Sequence, residues 1–322
     1  MTTAIFRFEA SPSIGAGHAI RSCVVAEALI EKGWDCKVAT SISTYEFINS
    51  LQRFDRIDPE EFYKNPPSFE LLVVDHYGLG EVYESHFRPY VKSIFVIDDL
   101  ADRKHNCDVL LDQTYRREAE SYYPFVPAHC QIFVGSEYTL LRKEFLSIYS
   151  KSIEKRRQTK KINRILISMG GSDPKNYILS ILEMLKNAKF MGTLDVVLGF
   201  AAHNFTQVKD FLSEMPNLFT IHVAADIPNL IYEADLAIGA AGSSVWERCY
   251  LGLPQILMMT AENQRFSFSK ISDFCFIMLP EENKLGEIIE IIEDKYQVFV
   301  DKSIDITSGK GIEKIINYLQ EI

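Results

Sequence analysis

The residues best suited to chemistry follow the first apolar segment of the chain. Residues 4–8 are mostly aliphatic or aromatic and predict a β-strand, and residues 19–32 carry apolar side chains at helical spacing. Between these segments, residues 13–18 read Ser-Ile-Gly-Ala-Gly-His. A strand, a glycine loop and a helix in this order begin a βαβ unit, and the glycines allow a tight turn and a close approach of the backbone to a ligand.

His18 lies at the start of the predicted helix. The positive end of a helix disfavours imidazolium, so we expect His18 to be neutral near pH 7 and able to accept a proton from water. The alternative is that Gly15 and Gly17 only shape the turn and His18 caps the helix, and residues 13–18 alone favour neither interpretation. The loop is not a dinucleotide-binding fingerprint, because Ile20 stands where the pattern requires a third glycine.

Composition limits the class of protein. The chain has 322 residues, enough for two domains, and its 47% hydrophobic content is that of a globular protein. A net charge of −10 disfavours nucleic acid and anionic membranes as partners. The sequence shows no bilayer-length apolar segment, no export-signal pattern and no C-x-x-C pair among its six cysteines. These features predict a cytoplasmic protein with reduced cysteines. We also expect a monomer whose partner is a small molecule.

Polar residues follow three predicted strands of the N-terminal half. Residues 69–74, 93–97 and 109–111 predict strands of a parallel sheet, whose carboxyl edge is where ligands bind in open α/β folds. For Asp75, His76 and Tyr77 we favour a functional role, because three consecutive polar groups exceed the needs of one cap. For Asp98, Asp99 and Asp112 we favour caps of turns or helices.

The C-terminal half repeats the strand–loop–helix opening. Residues 164–169 predict a strand before a Gly-Gly-Ser-Asp-Pro turn, and residues 236–240 predict another before Ala-Gly-Ser-Ser. Small residues at a helix N-terminus let the main chain reach a diphosphate. Glu247, one turn into the next helix, could accept hydrogen bonds from both hydroxyls of a ribose. Alternatively, Ser244 and Glu247 form an S-x-x-E capping box.

These patterns predict two domains. Residues 151–164 hold seven Lys or Arg and few core-forming residues, which indicates a basic linker. We expect an N-terminal α/β domain over residues 1–150 and a C-terminal α/β domain over residues 165–322. The last helix is expected to pack back on the first domain. Two Rossmann-like, doubly wound domains facing a cleft are the layout of GT-B nucleotide-sugar enzymes.

The chain resembles the UDP-2,4-diacetamido-2,4,6-trideoxy-β-L-altropyranose hydrolases of pseudaminic acid biosynthesis, a family related in fold to the N-acetylglucosaminyltransferase of peptidoglycan precursor synthesis. Motifs of the family occur in order along nearly the whole chain: residues 13–18 with Arg21, residues 74–78, 97–102, 111–113, 138–142 and 169–173, residues 241–244 with Glu247, and residues 262–264. One departure is Glu9, where we expect an aspartate, and it leaves the exact sugar open.

The resemblance implies a reaction and a set of roles. His18 would be the general base on a water that attacks the anomeric carbon, and UDP would leave with inversion. No metal or cofactor is implied, because helix N-termini supply the positive charge. The substrate-binding residues would be Gly17, Arg21, Asp75, Tyr77, Arg142, Gly171, Ser172, Ser243, Ser244, Glu247 and Asn263.

The resemblance also implies that the N-terminal domain is the sugar and catalytic side and that the C-terminal domain binds UDP. Within the set of site residues, it separates nucleotide contacts from sugar contacts. Glu247 would hold the ribose, Arg142 would contact the ligand and Asn263 would lie near the sugar. Asp75 and Tyr77 would contact the sugar or orient His18. Dipoles at four loop residues would stabilise the charge that develops on UDP: Gly171, Ser172, Ser243 and Ser244.

Two other functions fit the same sequence. A GT-B glycosyltransferase would use a UDP-sugar donor with a sugar or lipid acceptor in place of water. A nucleotide-sugar binding protein would have no turnover and no need of a neutral histidine facing the anomeric carbon.

Overall fold

A computed structural model describes residues 2–11, 14–170, 173, 175–199, 202, 204–223, 226–258, 271–278 and 284–321. The chain divides into two compact units, Met1–Leu141 with Gly309–Ile322, and Arg142–Ser308. Each unit contains a parallel sheet with helices, so the expectation of two Rossmann-like α/β domains is confirmed.

The first unit is built on a parallel sheet with the strand order β3-β2-β1-β4-β5-β6-β7. The strands are β1 (Thr3–Phe8), β2 (Asp35–Ala39), β3 (Asp55–Ile57), β4 (Phe69–Asp75), β5 (Val91–Ile97), β6 (Val109–Asp112) and β7 (Gln131–Val134). The helices before residue 141 are α1 (Gly17–Ile30), α2 (Ile42–Phe47), α3 (Pro59–Lys64) and α4 (Glu81–Phe87), with 3₁₀ turns at Asn49–Arg53, Ala119–Ser121 and Ser136–Tyr138.

Strand β4 shows why this sheet is buried on both faces. Its Leu71 and Val73 join one apolar cluster, and its Leu72 and Val74 join a second cluster on the opposite face. Successive side chains of a strand point to opposite faces, so a continuous apolar run predicts a central strand of this kind.

The strand order reverses between β1 and β4, which lie side by side with Phe8 opposite Asp75. In open α/β sheets, the carboxyl ends of the strands at such a reversal form the ligand-binding crevice. The loop after β1 turns through Gly15, whose φ of +87° favours glycine and whose N–H donates to the carbonyl of Ser11 at 2.7 Å. This turn delivers the chain to the start of α1 beside the end of β4.

The last helix, α12 (Gly311–Leu319), belongs to the first unit, where Ile315, Ile316 and Leu319 join the cluster formed with α1. The helix begins against the backbone of the first unit. A Cβ on Gly311 would lie 2.4 Å from the carbonyl carbon of Tyr138, so this contact requires glycine.

The second unit has a parallel sheet in the order β10-β9-β8-β11-β12-β13. Its strands are β8 (Arg164–Ser168), β9 (Thr193–Val197), β10 (Phe219–His222), β11 (Leu236–Ala240), β12 (Gln255–Met258) and β13 (Phe276–Met278). Its described helices are α5 (Lys143–Gln158), α6 (Tyr177–Asn187), α7 (Phe205–Ser213), α8 (Ile227–Glu233), α9 (Ser244–Tyr250), α10 (Leu285–Asp294) and α11 (Tyr296–Ile304). The order reverses between β8 and β11, after which the two small-residue loops follow.

The basic linker predicted over residues 151–164 is wrong. Helix α5 includes residues 151–158 and belongs to the second unit, whose boundary falls between Leu141 and Arg142. Lys155 Nζ donates to the carbonyl of Tyr232 at 3.0 Å, and the fully buried Arg156 donates from Nη2 to the carbonyl of Ile231 at 2.5 Å. These cations satisfy the carbonyl end of α8, a role that composition cannot distinguish from a solvated hinge.

No helix among the described residues is both long enough and apolar enough to cross a bilayer.

The packing of α12 predicts that its buried face stabilises the first unit. Ile315→Ala should lower the free energy of unfolding by about 2–5 kcal/mol, because Ile315 is 0% exposed and its loss leaves a cavity. Asn317→Ala, on the exposed side of α12, should change it by less than about 0.5 kcal/mol. Urea unfolding followed by Trp34 fluorescence in a Trp246→Phe background measures both. Equal stability of the two variants would contradict the packing of α12 on this unit.

Candidate active site

His18 is the second residue of α1, and its ring is held by Asp75 at the end of β4. His18 Nδ1 lies 2.7 Å from Asp75 Oδ1 and 2.9 Å from the carbonyl oxygen of Asp75. Both oxygens are acceptors, so the neutral ring is assigned a proton on Nδ1. In this tautomer Nε2 carries the lone pair and can accept a proton.

Arg21 fixes the other side of the Asp75 carboxylate. Its Nε and Nη2 each donate to one oxygen of Asp75 at 2.6 Å, and its Nη1 donates to Asp99 Oδ2 at 3.0 Å. A spacing of three residues places His18 and Arg21 on one face of α1. Burial raises the pKa of Asp75, but Arg21 and His18 lower it by more, so this pKa lies well below its usual range. Asp75 is therefore a buried carboxylate with both oxygens engaged.

The expectation that the positive helix end dominates the pKa of His18 is corrected by the structure. Burial lowers the pKa of His18, but the adjacent Asp75 carboxylate raises it by more, and the result lies above the usual histidine value. A full charge at 2.7 Å outweighs the partial charge of a helix end. A raised pKa suits a general base, since it brings proton affinity closer to neutral pH.

Tyr77 lies against the His18 ring. The ring centroids are 4.5 Å apart and nearly perpendicular, and Tyr77 is 41% exposed. Its hydroxyl donates to Asp99 Oδ2 at 3.4 Å. The structure thus places Tyr77 beside the predicted base, with part of its ring open to solvent.

Asp99 is the residue that sequence reasoning assigned wrongly. Its carboxylate accepts from Arg21 and Tyr77 instead of capping a turn. No local pattern identifies this role, because Arg21 is 78 positions away in the chain. Its neighbour Asp98 does cap a turn, accepting from the N–H groups of Leu100 and Ala101, and that expectation is confirmed.

Asp112 also behaves as the sequence predicts, since its Oδ1 accepts from the N–H of Thr114 at 2.7 Å. The remaining member of the 75–77 triplet, His76, accepts from the N–H of Gly78 through Nδ1 at 2.9 Å. His76 therefore shapes the turn after β4, while its two neighbours contact His18.

Glu9, where the resemblance leads us to expect an aspartate, is bound by its own chain. Its carboxylate accepts from Ser41 Oγ at 2.6 Å, from Thr44 Oγ1 at 2.5 Å and from Arg7 Nη1 at 2.6 Å. Burial raises the pKa of Glu9, but these hydrogen bonds and the Arg7 charge lower it by more. The glutamate ties the end of β1 to the first turn of α2.

The second unit holds the predicted nucleotide residues. Ser243 precedes α9, Ser244 begins it, and the Ser243 side chain makes no capping hydrogen bond. Glu247 Oε1 accepts from Arg142 Nη2 at 3.1 Å. Ser244 is the first residue of α9 and not its N-cap, so the capping-box interpretation of Ser244 and Glu247 is wrong. Among the described residues, Arg142, which precedes α5, holds Glu247. Burial raises the pKa of Glu247 despite the Arg142 charge.

One of the four remaining predicted site residues is described by the structure. Gly17 is the first residue of α1, directly before His18. Gly171, Ser172 and Asn263 lie outside the described residues.

Comparisons with known proteins agree with this architecture. The sequence matches no family model. It is 28% identical over 264 residues to the UDP-2,4-diacetamido-2,4,6-trideoxy-β-L-altropyranose hydrolase of Campylobacter jejuni, covering 77% of this chain and 88% of that protein. The resemblance to this hydrolase family is confirmed.

A more distant relative and a solved structure extend the comparison. The chain is 23% identical over 209 residues to the spore coat polysaccharide biosynthesis protein SpsG of Bacillus subtilis, covering 62% of this chain and 60% of that protein. The crystal structure of Acinetobacter baumannii MurG is similar with a TM-score of 0.71 and 13% identity, over 100% of both chains. At that identity the structural likeness concerns the fold, and it confirms the GT-B-like class.

The contacts of His18 predict its response to loss of the Asp75 charge. The pKa of His18 should lie above 6.5 in the wild type and fall in Asp75→Asn, because the neutral amide no longer stabilises the imidazolium. Proton NMR titration of the ring, assigned with His18→Leu, measures this. Asp99→Asn is the control, because Asp99 contacts Arg21 and Tyr77 and not His18. An unchanged pKa in Asp75→Asn would contradict the electrostatic pairing.

Proposed function

We propose that this chain is a hydrolase that removes UDP from UDP-2,4-diacetamido-2,4,6-trideoxy-β-L-altropyranose, or from a close UDP-diacetamido sugar, in pseudaminic acid biosynthesis. The observation that carries the proposal is the contact of His18 Nδ1 with the carboxylate and the carbonyl oxygen of Asp75. This contact places the ring proton on Nδ1, so the basic lone pair of Nε2 points away from Asp75. The similarity to the Campylobacter jejuni hydrolase supports the substrate class.

The reaction is attack of water at the anomeric carbon. His18 Nε2 takes a proton from water as the new C–O bond forms, and UDP leaves with the electron pair of the broken C–O bond. Asp75 stabilises the imidazolium, and Arg21 keeps Asp75 ionised and in place. UDP is a good leaving group, so a strong general acid is not required. Attack opposite the leaving group gives inversion.

Other residues of the first unit hold the sugar and the base. Tyr77 contacts the His18 ring and presents an exposed surface to the sugar. Asp99 orients Tyr77 and Arg21 together through one carboxylate oxygen. Gly17 is the first residue of α1 and has no side chain. The substrate can therefore approach the backbone at the start of α1 closely.

In the second unit, Glu247 accepts from the ribose hydroxyls. Its described partner Arg142 engages Oε1, and Arg142 Nε is buried without a hydrogen-bond partner among the described residues, which supports a further contact of this cation with the ligand. Ser243 and Ser244 start a helix, so their N–H groups lack intrahelical acceptors and can stabilise the diphosphate. Gly171 and Ser172 are assigned the same role, and Asn263 a position near the sugar, by the family resemblance.

A glycosyltransferase remains the second candidate, favoured by the fold shared with MurG. The same His18 would then take its proton from an acceptor hydroxyl instead of water. A binding protein without turnover is the third candidate, and a histidine–aspartate pair with a raised histidine pKa is not needed for binding alone.

Hydrolysis in ¹⁸O-labelled water, with no acceptor present, separates these functions. We expect UDP release with the label on the anomeric oxygen of the sugar, because water attacks carbon. Label on UDP would mean attack at phosphorus and would remove the role given to His18. UDP binding without release would favour a transferase, another sugar or a binding protein.

His18→Leu tests the base. We expect kcat to fall by ~10²-fold or more with little change in UDP affinity, as for loss of a general base. His129→Gln is the control, because His129 is 62% exposed and contacts Asp108. In the wild type, kcat/KM should rise with pH to a plateau, with its inflection above pH 6.5, because the deprotonated ring is the active form and its pKa is raised. Equal loss of activity in the two variants would contradict the assignment.

Glu247→Gln tests ribose recognition. The wild type should bind UDP at least roughly 10-fold more tightly than 2′-deoxy-UDP, and the variant should lose most of this preference, because hydrogen bonds to a charged acceptor are the stronger ones. Glu144→Gln, at an exposed position of α5, should keep it. Calorimetric titration of both nucleotides measures the ratio. An unchanged ratio in Glu247→Gln would assign the ribose contact to another residue.

A further inference from the structure

Two of the six cysteines lie in contact although they are 23 positions apart. Cys107 Sγ and Cys130 Sγ are 3.6 Å apart. Cys107 precedes β6 and Cys130 precedes β7, and the pairing of Val109 with Gln131 brings these two strand starts together. The sequence contains no C-x-x-C pattern that would indicate this pair.

The geometry suits a disulfide. Cys107 and Cys130 pack into the same apolar cluster on one face of the sheet, so their sulfur atoms face each other. A disulfide has an S–S bond of about 2.05 Å. The sulfurs must therefore approach by about 1.5 Å, which side-chain rotation can supply.

The two thiols differ in access. Cys107 is 0% exposed, whereas Cys130 is half-buried and follows the exposed residues Ala128 and His129. The hydrogen bond with Cys130 and burial both raise the pKa of Cys107, so Cys107 stays a protonated thiol. An oxidant in solution therefore reaches Cys130 first, with Cys107 behind it as the second thiol.

We propose that Cys107 and Cys130 form a reversible disulfide when the protein meets a hydroperoxide. The Cys130 thiolate attacks a peroxide oxygen, the O–O bond breaks, and the products are a Cys130 sulfenic acid and hydroxide. The Cys107 sulfur then attacks the Cys130 sulfur, the S–O bond breaks, and water leaves as the Cys107 proton is lost. With hydrogen peroxide, two thiols become one disulfide and the peroxide becomes two waters.

The bond would close the segment of residues 107–130, which makes hydrogen bonds to the backbone of Asp98 and Asp99. Arg117 Nη2 donates to the carbonyl of Asp99 at 2.9 Å, and Tyr122 Oη lies 3.1 Å from the carbonyl of Asp98. A disulfide stabilises mainly by restricting the unfolded chain, so oxidation should stabilise this segment in the first unit. Neither cysteine contacts His18, so the inference does not depend on the proposed function.

Peptide mapping under non-reducing conditions tests the proposal. After treatment with hydrogen peroxide we expect a linked pair of peptides carrying Cys107 and Cys130, lighter by two hydrogens than their sum and separated by dithiothreitol. Cys130→Ser should abolish the linked pair. Cys36→Ser should retain it, because Cys36 belongs to a different apolar cluster and its hydrogen bond to the carbonyl of Ala26 is one that a hydroxyl can replace.

Thermal unfolding gives a second readout. The oxidised wild type and Cys36→Ser should unfold at a higher temperature than their reduced forms, and Cys130→Ser should show no such difference. Recovery of Cys130 as a lone sulfinic acid with Cys107 still a thiol would overturn the proposal. Linkage of these cysteines only between two copies of the chain would overturn it as well.

Discussion

The buried carboxylate of Asp75 is the interaction on which the first unit's site depends. Asp75 is 0% exposed, and a buried anion is tolerated only when charge and hydrogen bonds compensate its lost hydration. Arg21 donates to both of its oxygens and His18 Nδ1 lies against one of them. The same contacts that make the charge tolerable also select the histidine tautomer and raise the histidine pKa. Stability and chemical capacity therefore have one physical origin here.

This interaction is possible because of strand order. Asp75 ends β4, and His18 and Arg21 lie in the first two turns of the helix that follows β1. Since β1 and β4 are neighbours at the reversal of the sheet, an acid and a base that are 57 positions apart meet at one edge. The turn through Gly15 sets where α1 begins, and it does so with a backbone conformation that favours glycine.

A second layer of hydrogen bonds holds this arrangement. Asp99 joins Tyr77 to Arg21, and Arg117 and Tyr122 hold the turn that carries Asp98 and Asp99. In a connected hydrogen-bond network each satisfied group restrains the next one. The layer explains why an exposed tyrosine keeps a defined position against the histidine ring. In the second unit, Arg142 Nη2 donates to Glu247 Oε1, and this contact restrains both side chains.

The sequence by itself determined the fold class, the glycine turn before His18 and the turn roles of Asp98 and Asp112. These features depend on local periodicity and on backbone preferences that neighbouring residues reveal. Tertiary structure alone decided that Asp99 serves Arg21 and Tyr77, that Glu247 pairs with Arg142 and that Cys107 meets Cys130. It also decided that Lys155 and Arg156 cap the carbonyl end of α8 instead of forming a linker. In each case the partner is distant in the chain, and the energy of a charge or thiol depends on which atoms surround it after folding.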